Sequence, residues 1–285
     1  VLNSLSTEKP AVASPEVSDK DNNKIEEQEE TKPKVKDEIL FLLMGVDANS
    51  VKDYKGIRTD TMMLFRVNFD TGNINLLSIP RDTRVSVNGA LDKINHAHSY
   101  GGTDLTIKTV RDFLGIDLKY YVRVDYQVVK DIVNAIGGVE IDVPFDMVYT
   151  ADPTIPINIK KGKQLLKGDK AHEFLRYRSG YQEGDIGRIK AQQYFMKELV
   201  KQTLDAKNLF RLPQLIETYF KNVETNIPLS EMLKGAASAK KIDAENMVTN
   251  TIPGYGKTIG DIDYWIYDRE KTDVIVKDMF ADYIH

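Results

Sequence analysis

The sequence contains no cysteine and no apolar run long enough to cross a lipid bilayer. Without cysteine, the chain has neither a disulfide framework nor a thiolate metal site. A membrane-spanning helix needs about 20 consecutive apolar residues, and no signal-peptide pattern is present. Val1 is not an initiator methionine. We therefore expect any membrane anchor to precede Val1.

Negative charge is concentrated at the start of the chain. The formal net charge of −4 arises from residues 1–38, and the rest is balanced between acidic and basic side chains. A neutral body argues against a general nucleic-acid surface. The first segment is rich in Ser, Pro, Lys and Glu, which predicts a disordered tether over residues 1–37. Such a tether is either a plain disordered end or a spacer behind a membrane anchor.

The stretch from Glu38 to Asp82 predicts three strands. Residues 39–44 are apolar, residues 61–69 and 73–79 are strand-like, and the residues between the last two favour a turn. A turn centred between residues 71 and 72 would place residue 61 opposite residue 82 and residue 62 opposite residue 81. Because the loop before Asp60 has no helical periodicity, we expect the first two strands to be antiparallel neighbours.

This arrangement would gather charged residues at one end of the sheet. Carboxylates are typical magnesium ligands, whereas guanidinium groups bind phosphate oxygens in pairs of hydrogen bonds. The sequence therefore predicts a divalent cation beside a phosphate. The residues concerned are Asp47, Arg58, Asp60, Arg81 and Asp82.

A second charged cluster lies more than ninety residues later. Arg176 and Arg178 precede a predicted long helix that starts near Asp185 and carries Arg188 and Gln192 four residues apart, on one face. The positive start of a helix favours a bound anion. The chain is rich in lysine, yet five of its eleven arginines fall in the two clusters. This usage indicates planar, bidentate contacts, although any one of these arginines is as well explained as an ion-paired scaffold residue.

Helices and strands alternate along the remaining chain, which predicts an α/β fold with a mixed central sheet and helices on both faces. We expect one domain over residues 38–285. The predicted elements are helices at 103–114, 126–136, 230–240 and 268–283, strands at 120–125, 139–143 and 246–252, and a hairpin turning at Lys161-Gly162. His96 and His98 would suit a metal if they lay on a strand, but no third ligand is evident.

Seven separated motifs between residues 38 and 204 resemble the LytR-CpsA-Psr family in order and spacing. Nothing comparably specific covers residues 205–285. The motifs are Gly45-Val46-Asp47, Arg58-Thr59-Asp60-Thr61-Met62-Met63, Ser78-Ile79-Pro80-Arg81-Asp82, Lys93-Ile94-Asn95 with Gly101-Gly102, Gly137-Gly138-Val139, Leu175-Arg176-Tyr177-Arg178, and Gly184-Asp185 with Arg188 and Gln192.

The resemblance implies an enzyme anchored in the membrane of Gram-positive bacteria, on its extracellular face. Such enzymes transfer an anionic glycopolymer, such as teichoic acid or capsule, from a polyprenyl pyrophosphate carrier to peptidoglycan. Carried over to this chain, the resemblance makes Asp47 and Asp60 the Mg²⁺ ligands. It places Arg58, Arg81, Arg176, Arg178, Arg188 and Gln192 around the pyrophosphate, and it makes Asp185 a further acid of the site.

Three points stay open at the level of sequence. The base that activates the acceptor hydroxyl is either Asp82 or Asp185, and Asp82 is alternatively a structural partner of Arg81. The apolar helix faces that would hold the lipid are as well explained by ordinary core packing. A pyrophosphate hydrolase and a non-catalytic receptor for lipid-linked glycans would both use the same charged residues.

Overall fold

The computed structural model describes residues 37–46, 56–153, 155–209, 212–213, 215–216 and 223–285. These residues belong to one compact unit of the chain, Lys36–His285. The predicted tether and Asp47 lie outside the described residues, apart from Asp37. No helix in the described ranges is long and apolar enough to span a membrane.

Strands and helices alternate through the described chain. The strands are β1 Glu38–Val46, β2 Thr59–Asn68, β3 Ile74–Ser78, β4 Arg84–Val87, β5 Ala90–Lys93, β6 Tyr120–Asp125, β7 Val139–Val143, β8 Met147–Tyr149, β9 Ile157–Ile159, β10 Gly162–Leu166, β11 Glu224–Thr225, β12 Val248–Thr251, β13 Gly254–Ile259 and β14 Ile262–Tyr267. The helices are α1 His96–Leu114, α2 Tyr126–Ala135, α3 Gly168–Arg176, α4 Asp185–Thr203, α5 Ala206–Leu209, α6 Leu229–Ser238 and α7 Arg269–Phe280.

A six-stranded sheet forms the centre, with the strand order β11-β6-β1-β2-β3-β12. β1 pairs antiparallel with β2 and parallel with β6, while β3 pairs antiparallel with β2 and parallel with β12. The near-continuous apolar sequence of β1 suits this central position, because both faces of the strand are covered. The predicted mixed sheet is confirmed.

Helices cover the sheet on both faces. On one face, Leu42 and Leu64 belong to a buried cluster with Val110 of α1 and Phe280 of α7. The side chains that point to the other face form a second cluster, in which Met63 packs with residues of α4. This arrangement confirms the predicted two-sided covering, which holds the ends of the strands in fixed positions.

Four smaller two-stranded sheets surround the central one, pairing β10 with β7, β13 with β14, β4 with β5, and β8 with β9. The hairpin expected at Lys161-Gly162 is wrong, because β9 and β10 each pair with a different partner. Apolar residues alternate in β9, whereas β10 ends in two consecutive leucines, so the sequence pattern alone does not identify the pairing. Tertiary contacts with β7 and β8 decide between the two.

The register of the β2–β3 hairpin differs from the prediction by two residues. Met63 lies opposite Ser78, so residue 62 faces residue 79 rather than 81. The loop between β2 and β3 is longer than a two-residue turn, and hydrogen bonds of Asn68 hold it closed. The Asn68 amide donates to the Asn73 carbonyl, and its side-chain Oδ1 accepts from the amides of Asp70 and Thr71. An even shift keeps every side chain on its expected face.

Helix α1 begins earlier than expected. It starts at His96 and is kinked at Gly101 and Gly102, so the predicted start at Thr103 applies only to its second part. His96 and His98 therefore lie on a helix and not on a strand, and their rings bind different partners. The predicted start at Ser230 is also displaced, because α6 begins at Leu229.

The central strand offers a direct test of this core. Leu42 is fully buried, whereas Leu91 is 59% exposed on β5. Leu42→Ala should lower the free energy of unfolding by about 3 kcal/mol, because it removes buried methyl groups and leaves a cavity. Leu91→Ala should change it by less than about 0.5 kcal/mol. Urea unfolding measures both, and equal losses would contradict the proposed packing.

Candidate active site

The ends of three central strands and the start of a fourth converge beside the charged residues. Val46 at the end of β1 pairs with Asp125 at the end of β6 and with Thr59 at the start of β2, after a register shift at Gly45. A side chain at Gly45 would crowd the Cβ of Thr61, at 3.1 Å. Because Gly45 has no side chain, β1 and β2 approach each other closely, which brings the polar residues beside their ends together.

Asp60 is the acidic centre of the site. Its Oδ1 accepts a hydrogen bond from Arg81 Nη1 at 2.5 Å and lies 3.5 Å from Arg178 Nη2. Asp60 belongs to β2 and Arg81 follows β3, whereas Arg178 lies between α3 and α4. One carboxylate therefore joins the two arginine clusters that the sequence separates by more than ninety residues.

Arg188 lies deeper, with only 2% of its side chain exposed. Its Nη2 lies 2.8 Å from Asp185 Oδ1 and donates to the Asp60 carbonyl at 3.5 Å. An arginine in the first turn of a helix opposes the helix dipole, and the neighbouring aspartate offsets that cost. Arg188 thus holds the start of α4 against β2.

These residues border a cavity of about 390 Å³, which we call the charged cavity. The guanidinium groups of Arg81, Arg176 and Arg178 face a single carboxylate there, so the lining has a net positive charge. Sequence reasoning missed the neutral part of the wall. That part consists of Tyr126, Tyr149, Ile155, Ile157, Tyr177 and Ser179.

A further missed residue supports this wall. The ring of His172 packs against that of Tyr126 at a centroid distance of 4.2 Å. Burial, together with the charges of Arg176 and Lys130, lowers the pKa of His172 to about 4. His172 is therefore neutral at pH 7. The four-residue spacing between His172 and Arg176 on a helix was the available signal.

The positive charges act on one another. Burial opposes the charge of Arg81, but the hydrogen bond and charge of Asp60, with Asp185 and Asp82, outweigh it and raise the Arg81 pKa. Burial lowers the pKa of Arg178, and the charges of Arg188 and Arg81 lower it further. Guanidinium groups stay protonated in proteins, so this repulsion favours the binding of an anion.

Three predicted site residues have other surroundings: Asp82, a candidate base, and Gln192 and Arg58, which were expected at the pyrophosphate. Asp82 contacts Lys93 Nζ through Oδ1 at 2.9 Å and lies 3.7 Å from Arg81 Nε through Oδ2. Gln192 donates to the Leu175 carbonyl at 3.2 Å and joins α4 to the end of α3. Arg58 is exposed and is not among the residues that line the charged cavity.

A second cavity, of about 130 Å³, adjoins the charged cavity through Tyr126, which lines both. We call it the apolar cavity. Its wall includes Met63 of β2, Val129 of α2, and Phe195 and Leu199 of α4. Ile132 also borders a third space of about 210 Å³, which is lined mainly by apolar residues.

The donor groups of the site are compatible with a hard divalent cation. No group of three or more acidic, histidine or cysteine side chains that would hold a metal occurs in the described ranges. Mg²⁺, however, commonly uses one or two carboxylates together with oxygens of a bound phosphate. Asp60, beside three arginines, provides one such carboxylate.

Comparisons with known proteins identify chains with a similar sequence and fold. The Bacillus subtilis (strain 168) polyisoprenyl-teichoic acid–peptidoglycan teichoic acid transferase TagV is 34% identical over 82% of this chain and 61% of its own length. The crystal structure of B. subtilis TagV superposes with a TM-score of 0.76 over 87% of this chain and 98% of the other. The transferase of the same description named TagU, from Bacillus mycoides (strain KBAB4), is 33% identical over 97% of this chain and 88% of its own.

TagT bound to LIIa-WTA superposes with a TM-score of 0.72 at 26% identity, over 87% of this chain and 91% of the other. The profile of the LytR_cpsA_psr family matches residues 5–281, which extends beyond the motifs at both ends. The order of the motifs, the fold and these matches agree, and the chain belongs to the LytR-CpsA-Psr family.

Proposed function

We propose that this protein transfers an anionic glycopolymer of the teichoic acid class from a polyprenyl pyrophosphate carrier to peptidoglycan. One observation supports this above the others: a cavity with a net positive lining adjoins an apolar cavity, and Tyr126 borders both. A lipid pyrophosphate likewise consists of a charged diphosphate joined directly to an apolar chain. The names of the relatives TagV and TagU describe this reaction.

The charged cavity would bind the pyrophosphate. Arg81, Arg176 and Arg178 come from two separate segments and offer planar donor groups, which suit phosphate oxygens. Each bond to the ligand would also relieve the repulsion among these guanidinium groups. The apolar cavity would hold the first part of the lipid, with Phe195 and Leu199 against the chain.

In the proposed step, a hydroxyl oxygen of peptidoglycan attacks the phosphorus that carries the glycopolymer. The bond from that phosphorus to the bridging oxygen breaks, and polyprenyl phosphate leaves with the electron pair. The arginines stabilise the charge on the transferring group, which is the main requirement of phosphoryl transfer.

We assign the proton of the attacking hydroxyl to Asp185 rather than to Asp82. Both oxygens of Asp82 lie near cations, Lys93 and Arg81. Asp185 and Asp82 are similarly exposed, at 32% and 27%, but among the described residues Asp185 is ion-paired with one cation, Arg188, through Oδ1. A carboxylate that is held by fewer cations is freer to accept the proton and is the better base.

Magnesium is part of the proposal. Asp60 and Asp47 would hold Mg²⁺ together with pyrophosphate oxygens, since Asp47 follows directly on β1, whose end pairs with the start of β2. When bound, the cation would neutralise charge on the pyrophosphate. We further propose that the protein is anchored to the membrane of a Gram-positive cell and that the reaction takes place at its extracellular face, where the acceptor lies.

Arg178 offers a test of the transfer reaction with a matched control. The Arg178 side chain is 46% exposed. Arg111 on α1 is similarly exposed, at 47%, and lies far from the charged cavity. Arg178→Ala should lower the rate of polymer transfer by about 100-fold or more, because one donor to the transferring group is lost. Arg111→Ala should leave it unchanged. The assay uses purified protein, lipid-linked polymer and peptidoglycan.

The same assay distinguishes polymer transfer from pyrophosphate hydrolysis and from binding without turnover. Release of polymer without a phosphodiester-linked product would indicate a hydrolase. Tight binding of the lipid pyrophosphate without turnover would indicate a receptor. A full transfer rate for Arg178→Ala would overturn the assignment of the charged cavity.

Leu199 tests the site of the lipid. Leu199→Trp should fill part of the apolar cavity and raise the KM for a long-chain lipid donor about tenfold, with the affinity for inorganic pyrophosphate unchanged. Leu165→Trp, at a position 54% exposed and outside the cavity, is the control. If both variants keep the KM of the original protein, the lipid binds elsewhere.

Asp60 tests the cation. In calorimetric titrations, Mg²⁺ should tighten the binding of inorganic pyrophosphate to the original protein about tenfold or more relative to EDTA, because the cation would neutralise charge on both the Asp60 carboxylate and the pyrophosphate. Asp60→Asn should remove most of this gain, whereas Asp82→Asn should keep it. An unchanged gain in Asp60→Asn would exclude Asp60 as a ligand.

A further inference from the structure

Three side chains outside the charged cavity form a compact hydrogen-bonded cluster. His96 Nδ1 lies 2.9 Å from Asp92 Oδ2 and 3.0 Å from Asp92 Oδ1. The hydroxyl of Tyr100 donates to Asp92 Oδ2 at 2.8 Å. Asp92 ends β5, and the other two lie one turn apart at the start of α1. These three residues have no role in the proposed transfer step itself.

Asp92 holds the ring of His96 through its Nδ1 atom. Burial opposes the ionisation of Asp92, but hydrogen bonds from His96, Tyr100 and the Lys93 amide outweigh it and lower the Asp92 pKa. The carboxylate contacts Nδ1 of His96, which leaves Nε2 as the ring nitrogen for a second partner. Nε2 is buried and has no hydrogen-bond partner among the described residues. A buried polar atom without a partner is costly, and a ligand hydroxyl that enters beside the ring would supply the missing hydrogen bond.

The cluster is connected to the charged cavity by short contacts. Lys93 follows Asp92 directly and contacts Asp82 Oδ1, while the second oxygen of Asp82 lies near Arg81. The amide of Asn95, the residue before His96, donates to the Arg81 carbonyl at 3.2 Å. A ligand on the cluster would thus lie beside the residues that hold the phosphate.

Arg58 belongs to this side of the site. The carbonyl of Ile57, the residue before Arg58, lies 2.8 Å from Nδ1 of His98 on α1, so Arg58 lies beside the part of α1 that carries Tyr100. Arg58 is exposed and lies two residues before Asp60. Its position explains why it does not line the charged cavity although its motif contains Asp60.

The surface around the cluster suits a sugar. Tyr100 is 61% exposed, and its ring meets that of His96 edge to face at 5.8 Å. Flat aromatic rings with a polar edge are well suited to contacts that are apolar on one side and wet on the other. Arg84 and Lys93 lie over the ring of the neighbouring Tyr264, at 5.4 and 5.9 Å from its centre.

We propose that Arg58, His96 and Tyr100 form the subsite for the acceptor, a peptidoglycan sugar that bears a free hydroxyl and a carboxylate-containing peptide. This inference rests on the proposed function. His96 accepts a hydrogen bond from the sugar through Nε2, Tyr100 packs against the ring, and Arg58 attracts the carboxylates. Asp92 is the positioning residue that holds His96 and Tyr100.

Direct binding tests this subsite without requiring turnover. The probe is a soluble N-acetylglucosaminyl-N-acetylmuramyl pentapeptide, titrated by NMR into the full chain, with inorganic pyrophosphate in a parallel titration. Tyr100→Ala and His96→Gln should each weaken the binding of the glycan fragment about tenfold, the loss of one good contact, with pyrophosphate affinity unchanged within about twofold. Asp92→Asn should weaken it as well, and circular dichroism verifies that each variant folds.

Two control variants carry the same substitutions at exposed positions outside the cluster. Tyr255 is 59% exposed on β13, and His285 is exposed at the end of the chain. Tyr255→Ala and His285→Gln should bind the fragment as the original protein does.

The results separate the two proposals. If pyrophosphate binds but the fragment fails to bind, or binds equally to all variants, the acceptor subsite is wrong and the proposed function stands. A loss of pyrophosphate affinity in parallel with that of the fragment would also overturn the subsite, because it would assign the cluster to the donor. If pyrophosphate itself does not bind, the proposed function fails first.

Discussion

The contact of one carboxylate with two arginines from distant parts of the chain holds the site together. Asp60 lies against Arg81 and Arg178, and the backbone of the same residue accepts from Arg188. Such a concentration of guanidinium groups is costly without anions, since each cation lowers the stability of the others. Asp60 offsets part of this cost. What it leaves is a cavity that carries a net positive charge and is prepared for an anionic ligand.

The fold also places an apolar cavity directly beside this charged cavity. β1 and β2 are buried on both faces, and α2 and α4 lie across them, so Leu199 and Phe195 line a space that Tyr126 connects with the arginines. On the other side, the contact of Lys93 with Asp82 joins the Asp92–His96–Tyr100 cluster to Arg81. The proposed donor and acceptor would thus approach one phosphoryl position from two sides.

Much of this could be predicted from the sequence because local patterns were strong. The apolar run at residues 39–44 and the helices predicted at 126–136 and 268–283 each correspond to one element of the structure. The juxtaposition of Asp60 with Arg81 followed from the hairpin even though its register was two residues off, since an even shift moves residues along the strand without changing their face.

The remaining features depend on tertiary contacts that leave no periodic signal. Tyr126, Tyr149 and Tyr177 line the charged cavity, yet nothing in their local sequence distinguishes them from core aromatics. Arg58 and Arg81 lie in neighbouring motifs, but only the packing of α1, where His98 contacts the Ile57 carbonyl, brings Arg58 beside that helix. Likewise, the partners of β9 and β10 are chosen by β7 and β8 and not by the turn between them.

A crystal structure of the protein soaked with a polyprenyl pyrophosphate and magnesium tests the central claim most directly. The account predicts that the diphosphate lies in the charged cavity between Arg81 and Arg178, with the first isoprene units beside Leu199 and Phe195. A diphosphate bound at another surface, with Asp60 still enclosed by its two arginines and the apolar cavity empty, would contradict it.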